Sequence, residues 1–167
     1  RRVKDVSDIK KLLDREQISK ASKASLLIKL ADIYTEQARN SRNKILKKYD
    51  KLYNNWLDQE VILISEEPTL KLDETHVFIK KAIKTYRRIF DEIPKFRSDP
   101  EFQYKIGQYQ LTIGKPNAEL YFNKVLKEKP NSKWGSWSLL GLGEYYYNNR
   151  EYNKAKKFYI KSKKSKL

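Results

Sequence analysis

Leu139-Leu140-Gly141-Leu142-Gly143-Glu144-Tyr145-Tyr146-Tyr147 and, across the polar turn Asn148-Asn149-Arg150, Glu151-Tyr152-Asn153-Lys154-Ala155-Lys156-Lys157-Phe158-Tyr159 decide the fold. Apolar side chains recur at three- and four-residue steps on both sides of the turn, which is the period of a helix and not of a strand. Two helices joined by so short a turn fold back on one another. Leu139, Leu142 and Tyr146 are large, whereas Gly143 and Ala155 are small. The small pair marks where the helices are expected to cross closely, with Tyr146 and Tyr159 filling the space around the crossing and Ser162 following.

Upstream the pattern recurs more loosely. Ile106-Gly107 takes the place of Leu142-Gly143, Ala118, Phe122 and Val125 follow in a second helix, and Pro130 closes it. Its internal loop is one residue short, and Gln110 stands where Tyr146 stands in the last pair. A third unit is split: Leu27, Leu30-Ala31 and Tyr34 form the first helix, and Ala82, Tyr86, Ile89 and the closing Pro94 the second, with residues 40–73 inserted between them. Large–Leu–Gly–Tyr followed by Ala–aromatic–small and a terminal proline is the tetratricopeptide pattern. The expected fold is therefore all-α, a tetratricopeptide-type α-solenoid of antiparallel helix pairs. Residues 1–96 carry the split repeat and its helical insertion, and residues 97–167 carry two further repeats.

The remaining helices follow from the same periodicity. Val6, Ile9, Leu12 and Leu13 form a first stripe, with Ser7 or Asp5 available as N-cap. Ile45, Leu46, Tyr49, Leu52, Tyr53, Trp56 and Leu57 form another, either separate from the Leu27–Tyr34 stripe or continuous with it. Residues 59–71, with Pro68 among them, read as a loop. Asp73 is expected to cap the next helix, Asp99-Pro100 pairs a cap with proline at the first helical position, and Pro116 is expected to open the helix after Gly114.

The order of these features resembles a particular family. Leu26-Leu27-Ile28-Lys29-Leu30-Ala31-Asp32-Ile33-Tyr34, the basic-aromatic insertion ending in Trp56, Leu72-Asp73, Ala82-Ile83 with Tyr86, and Leu142-Gly143-Glu144-Tyr145-Tyr146 stand in the layout of the tetratricopeptide proteins of the deltaproteobacterial cell envelope. That family is best known from myxobacterial adventurous gliding motility. The resemblance spans most of residues 20–165. It implies a scaffold of a multiprotein envelope machine, periplasmic or associated with the outer membrane, and it brings no catalytic residue with it.

Composition narrows the chemistry. The chain has no Cys, which removes disulfides and thiolate ligands and fits cytoplasm or periplasm equally. His76 is the single histidine, so neither a histidine metal cluster nor a histidine-dependent triad has its parts, and no glycine-rich phosphate loop occurs. Asp58, Glu60, Glu66 and Glu67 read as solvated loop acids. No catalytic residue, cofactor or metal site is expected. There is no Met, which points to a mature product or an excised fragment. The end at Lys-Ser-Lys-Leu after Ile160 points to a longer array or to an edge that pairs with another molecule.

Binding is then carried by surface. The net charge is +16, and the cations are 28 Lys against 9 Arg. Arg is the residue favoured for bidentate phosphate and base contacts, so the lysine excess argues for solvated helix faces over specific nucleic-acid readout. A basic nucleic-acid-binding protein is the alternative function, with Lys156, Lys157, Lys161, Lys163, Lys164 and Lys166 as its best support. The same cluster suits an anionic lipid surface. In tetratricopeptide repeats the first helix of each pair lines the concave groove. Trp137, Leu140, Glu144, Tyr147 and Asn148 of the last repeat, with Tyr104, Gln108 and Leu111 of the middle one, are thus the expected binding groove for a protein partner, as a peptide or a helix.

Overall fold

A computed structural model describes residues 2–165. Among them the chain forms seven α-helices and no strand: α1 Arg2–Leu13, α2 Lys20–Leu57, α3 Asp73–Glu92, α4 Pro100–Thr112, α5 Ala118–Glu128, α6 Lys133–Asn148 and α7 Tyr152–Lys164.

The helix boundaries have local causes. Asp99 accepts hydrogen bonds from the backbone N–H groups of Glu101 and Phe102 and so opens α4, with Pro100 supplying a preset φ. Ser19 and Ser132 cap α2 and α6 in the same way, accepting from the N–H groups of Ser22 and Gly135. Three sequence expectations are corrected. Asp5 and Ser7 lie inside α1 and neither is its N-cap residue. Asp73 is the first residue of α3, following Leu72, and gives its charge to the helix N-terminus without a capping bond. Pro116 lies in the turn before α5, which begins two residues later at Ala118.

α4 and α6 end alike. After α4, Gly114 turns left-handed (φ 71°), its N–H bonds Leu111 O, and the N–H of Lys115 bonds Gln110 O. After α6, Arg150 occupies the same left-handed position (φ 62°), with its N–H on Tyr147 O and that of Glu151 on Tyr146 O. Both are the paired reverse bonds that satisfy a helix's last carbonyls. Arg150 adopts a conformation that glycine would enter freely.

α2 runs without a break for 38 residues. Its first half packs antiparallel on α3: Lys23 Nζ pairs with Glu92 Oε1 at 3.2 Å near one end, and the Ser41 and Thr75 hydroxyls meet at 3.0 Å near the other. Beyond Ser41 only Trp56 of α2 is buried, so about 24 Å of helix projects past α3 at 1.5 Å per residue. The chain returns through residues 58–72, pinned where the Trp56 indole N–H donates to Leu63 O at 2.9 Å. The sequence insertion is therefore the continuation of one helix plus a returning loop.

Two apolar cores result. α1 packs on α2, and the larger core joins α1, α2, α3 and the start of α4 through Ile9, Leu13, Leu27, Ala31, Ile89 and Ile106. The smaller is built on Ala118, Phe122 and Leu142, with α5 held between α4 and α6, and α7 packed on α6. Tyr86, 1% exposed, stands at the α3–α4 contact, with Phe102 at 5.3 Å and Tyr109 at 6.4 Å between ring centroids. Its hydroxyl has no hydrogen-bond partner among the described residues, and burial, ahead of Tyr109 and the Asp32 and Glu101 carboxylates, raises its pKa far above the usual phenol range. An unbonded buried hydroxyl costs about 1–3 kcal/mol. Tyr86→Phe is therefore expected to raise stability by about 1 kcal/mol in denaturant titration. A fall in stability would show that the hydroxyl is bonded in solution.

Candidate functional site

The residues expected to line the groove fall on α4 and α6. Trp137 and Leu140 of α6 are 46% and 44% exposed. They lie three residues apart on one helix, hence on one face. The Trp137 ring meets Tyr104 of α4 at 5.7 Å and Trp134 edge-on at 5.1 Å, and Tyr104 also meets Trp134 at 5.7 Å. The Lys133 ammonium lies over Trp134 and Trp137, at 4.7 and 5.8 Å from the ring centroids. Two helices thus present one aromatic surface with a cation at its end. Such offset and edge contacts hold rings in place at modest cost in side-chain freedom.

Glu144 faces the same region. Burial raises the Tyr104 pKa first, and the Glu144 carboxylate raises it further. Gln108 is half-buried on α4, and Tyr104 and Leu111 are half-buried against the smaller core. Tyr104 thus serves packing and surface together. Tyr147 is placed differently from Trp137: it meets Tyr152 of α7 edge-on at 5.3 Å and lines, with Ala155, Tyr159 and Ile160, a separate apolar groove of about 370 Å³. Lys156 and Lys163 border that groove. Asn148 is exposed at the end of α6. The expected single groove is therefore two neighbouring surfaces, the α4–α6 aromatic face and the α6–α7 edge.

No known protein family, curated protein or solved structure matches this chain.

The residues expected to shape the repeats sit where helices approach one another. Gly107 and Gly141 both abut the Phe122 ring: a methyl placed on them would come within 2.9 Å of Cε1 and 2.5 Å of Cζ. Gly143 abuts Tyr159, at 2.6 Å from Cε1 by the same measure. Ala82, Ala118, Tyr86, Phe122, Leu142 and Ala155 are buried and Leu139 half-buried. The Tyr146 hydroxyl lies 3.4 Å from Glu119 Oε2 and its ring stacks on Phe158 at 5.5 Å. Pro94 opens a 3₁₀ turn after α3, and the Pro130 carbonyl closes on Gly135. Gly141 and Trp134 escaped the sequence reading. Gly141 is one step from the Leu142-Gly143 pair, and Trp134 precedes the stretch expected to carry the repeat pattern.

The lysines of α7 extend into solvent, with Lys161 over Phe158 at 5.2 Å, while Lys166 lies outside the described residues. Among the described residues no cluster of three or more His, Cys, Asp or Glu is placed to hold a metal ion, and no helix is long and apolar enough to cross a membrane.

Proposed function

We propose that this chain is a non-catalytic protein–protein interaction scaffold of tetratricopeptide type, and that the α4–α6 aromatic face receives a partner's peptide or helix. The observation that carries the reading is the half-exposed Trp137, held by Tyr104 and Trp134 beside the exposed Leu140. Rigid aromatic rings with open faces are the usual anchors of protein interfaces. The tetratricopeptide character draws support from contacts that recur in register. Gly107 against Phe122 and Gly143 against Tyr159 are the same glycine–ring contact. The glycines lie 36 residues apart, and so do the left-handed residues Gly114 and Arg150 that end the two first helices. The setting comes from the resemblance alone: a bacterial cell-envelope complex, in the periplasm or at the outer membrane, with gliding motility as the process served.

Trp137→Ala combined with Leu140→Ala tests the site. The double variant is expected to keep its helical circular dichroism and melting temperature nearly unchanged, because both side chains are about half in solvent. Capture of envelope proteins that bind the wild-type chain should fall by about tenfold or more, the effect of losing an interface anchor worth about 2 kcal/mol. Retained capture would remove the α4–α6 face from the proposal.

A further inference from the structure

A second concavity lies away from the aromatic face. α3 and the α4–α5 turn enclose a cleft of about 910 Å³. Lys80, Lys84, Arg87 and Arg88 reach it from α3, and Lys115 from the turn. None of Lys80, Lys84, Arg87 and Lys115 forms an ion pair among the described residues; Arg87 Nε donates only to the Tyr121 hydroxyl, at 3.3 Å. Arg88 is bound to Glu92, which also holds Lys23. Ile83, Ile113 and Pro116 supply apolar lining between these charges.

These four cations, outside any ion pair and more numerous than the carboxylates of the cleft, repel each other, and an anionic occupant relieves that repulsion. Its chemistry can be narrowed further. No aromatic ring lines the cleft, so unstacked bases have no platform. Asp91 and Glu92 stand on the same wall, Glu92 already held by Arg88 and Lys23, so an anionic ligand is left to Lys80, Lys84, Arg87 and Lys115. The apolar lining, for its part, calls for aliphatic side chains between the ligand's charges.

We infer that the cleft between α3 and the α4–α5 turn is a binding site for an acidic peptide segment whose carboxylates bracket aliphatic side chains. Such a segment is exposed on this chain itself. Residues 52–70 contain no Lys or Arg, and within them Asp58, Glu60, Glu66 and Glu67 flank Val61-Ile62-Leu63-Ile64, whose exposures run from 47% to 81%. It provides a defined probe of the required chemistry.

The test uses a fluorescent peptide of residues 58–67 and the whole chain at low ionic strength, where exposed charges act at full range. The wild-type chain is expected to bind it, and a peptide with its four acids replaced by Asn and Gln should bind about tenfold more weakly. Lys84→Glu with Lys115→Glu should lose binding by a similar factor of about tenfold or more, and Lys84→Gln with Lys115→Gln by an intermediate one. Lys157→Glu with Lys164→Glu on α7, the same change in net charge, should alter it by no more than about threefold. These variants leave Trp137 and Leu140 untouched, so failure here is separable from failure of the aromatic face. Equal loss in both reversed variants would mean attraction by net charge alone and overturn the proposal. So would absence of peptide binding, or a single-stranded oligonucleotide that binds more tightly than the peptide in a manner sensitive to Lys84 and Lys115.

Discussion

Phe122→Ala is expected to destabilise the chain by about 3–5 kcal/mol, the range for deleting a fully buried aromatic ring. Phe122 has no exposed surface. Its ring fills the space between α4 and α6, resting on Gly107 on one side and on Gly141 on the other, with Tyr104 at 5.9 Å. Glycines have no side chain to relax into the void, so the cavity should persist, which places the cost toward the upper part of that range. Chemical denaturation measures it directly. A double-mutant cycle adds a sharper test. Gly141→Ala should be damaging in the wild-type chain, where the new methyl would lie 2.5 Å from Phe122 Cζ. In the Phe122→Ala background the same methyl should be neutral or favourable, giving a coupling of about 1–3 kcal/mol. A loss below about 1 kcal/mol for Phe122→Ala, or additive behaviour in the cycle, would mean that α5 does not wedge α4 and α6 in solution.

The contrast between what could and could not be read from sequence follows from the range of the interactions. Helical periods are local, and so are the Asp99-Pro100 start and the Pro94 and Pro130 stops, each acting within a turn of its own position. Gly143 was legible because it sits inside a spaced pattern of large and small residues. Gly141 serves a comparable purpose against Phe122 but lies outside that pattern, and only the position of α5 reveals it. Asp73 illustrates a boundary shift of one residue: the acid is favourable at the helix N-terminus whether or not it makes the capping bond. The polar turn Asn148-Asn149-Arg150 is legible from sequence but its left-handed residue is not, because that position is usually read from glycine or asparagine and Arg150 holds it.

The surfaces were less legible than the fold. Trp137 and Tyr147 share a helix, which on sequence alone places them in one groove. They separate because Tyr147 is drawn to Tyr152 on α7, whereas Trp137 is drawn to Tyr104 and Trp134. The cationic cleft joins Lys80 and Lys84 to Lys115 across more than thirty residues of sequence, and only the packing of α3 on α4 brings them together. Along the sequence these residues are indistinguishable from the lysines that coat the outer helix faces.

Gly143→Leu is expected to destabilise the α6–α7 pair by about 1–3 kcal/mol, the usual cost of overpacking a helix contact. Two effects oppose each other at this position. Replacing glycine inside a helix by leucine recovers about 0.6–1 kcal/mol of helix propensity. Against that gain, the first carbon of the new side chain would lie 2.6 Å from Tyr159 Cε1 and 2.7 Å from Cδ1, with the rest of the leucine still to be placed. The outcome turns on whether Tyr159 can move. It is half-buried, with a pKa raised first by burial and then by Glu144 and Tyr147, and it lines the α6–α7 groove. Its ring therefore has an open side toward which it can swing, an escape denied to the fully buried Phe122. Gly141→Leu should accordingly cost more than Gly143→Leu, and adding Tyr159→Ala should restore part of the stability lost by Gly143→Leu. Thermal unfolding of the three variants decides the matter. A Gly143→Leu chain as stable as wild type, or a Gly141→Leu chain more stable than it, would show that the close approach of α6 to its neighbours is not maintained in solution.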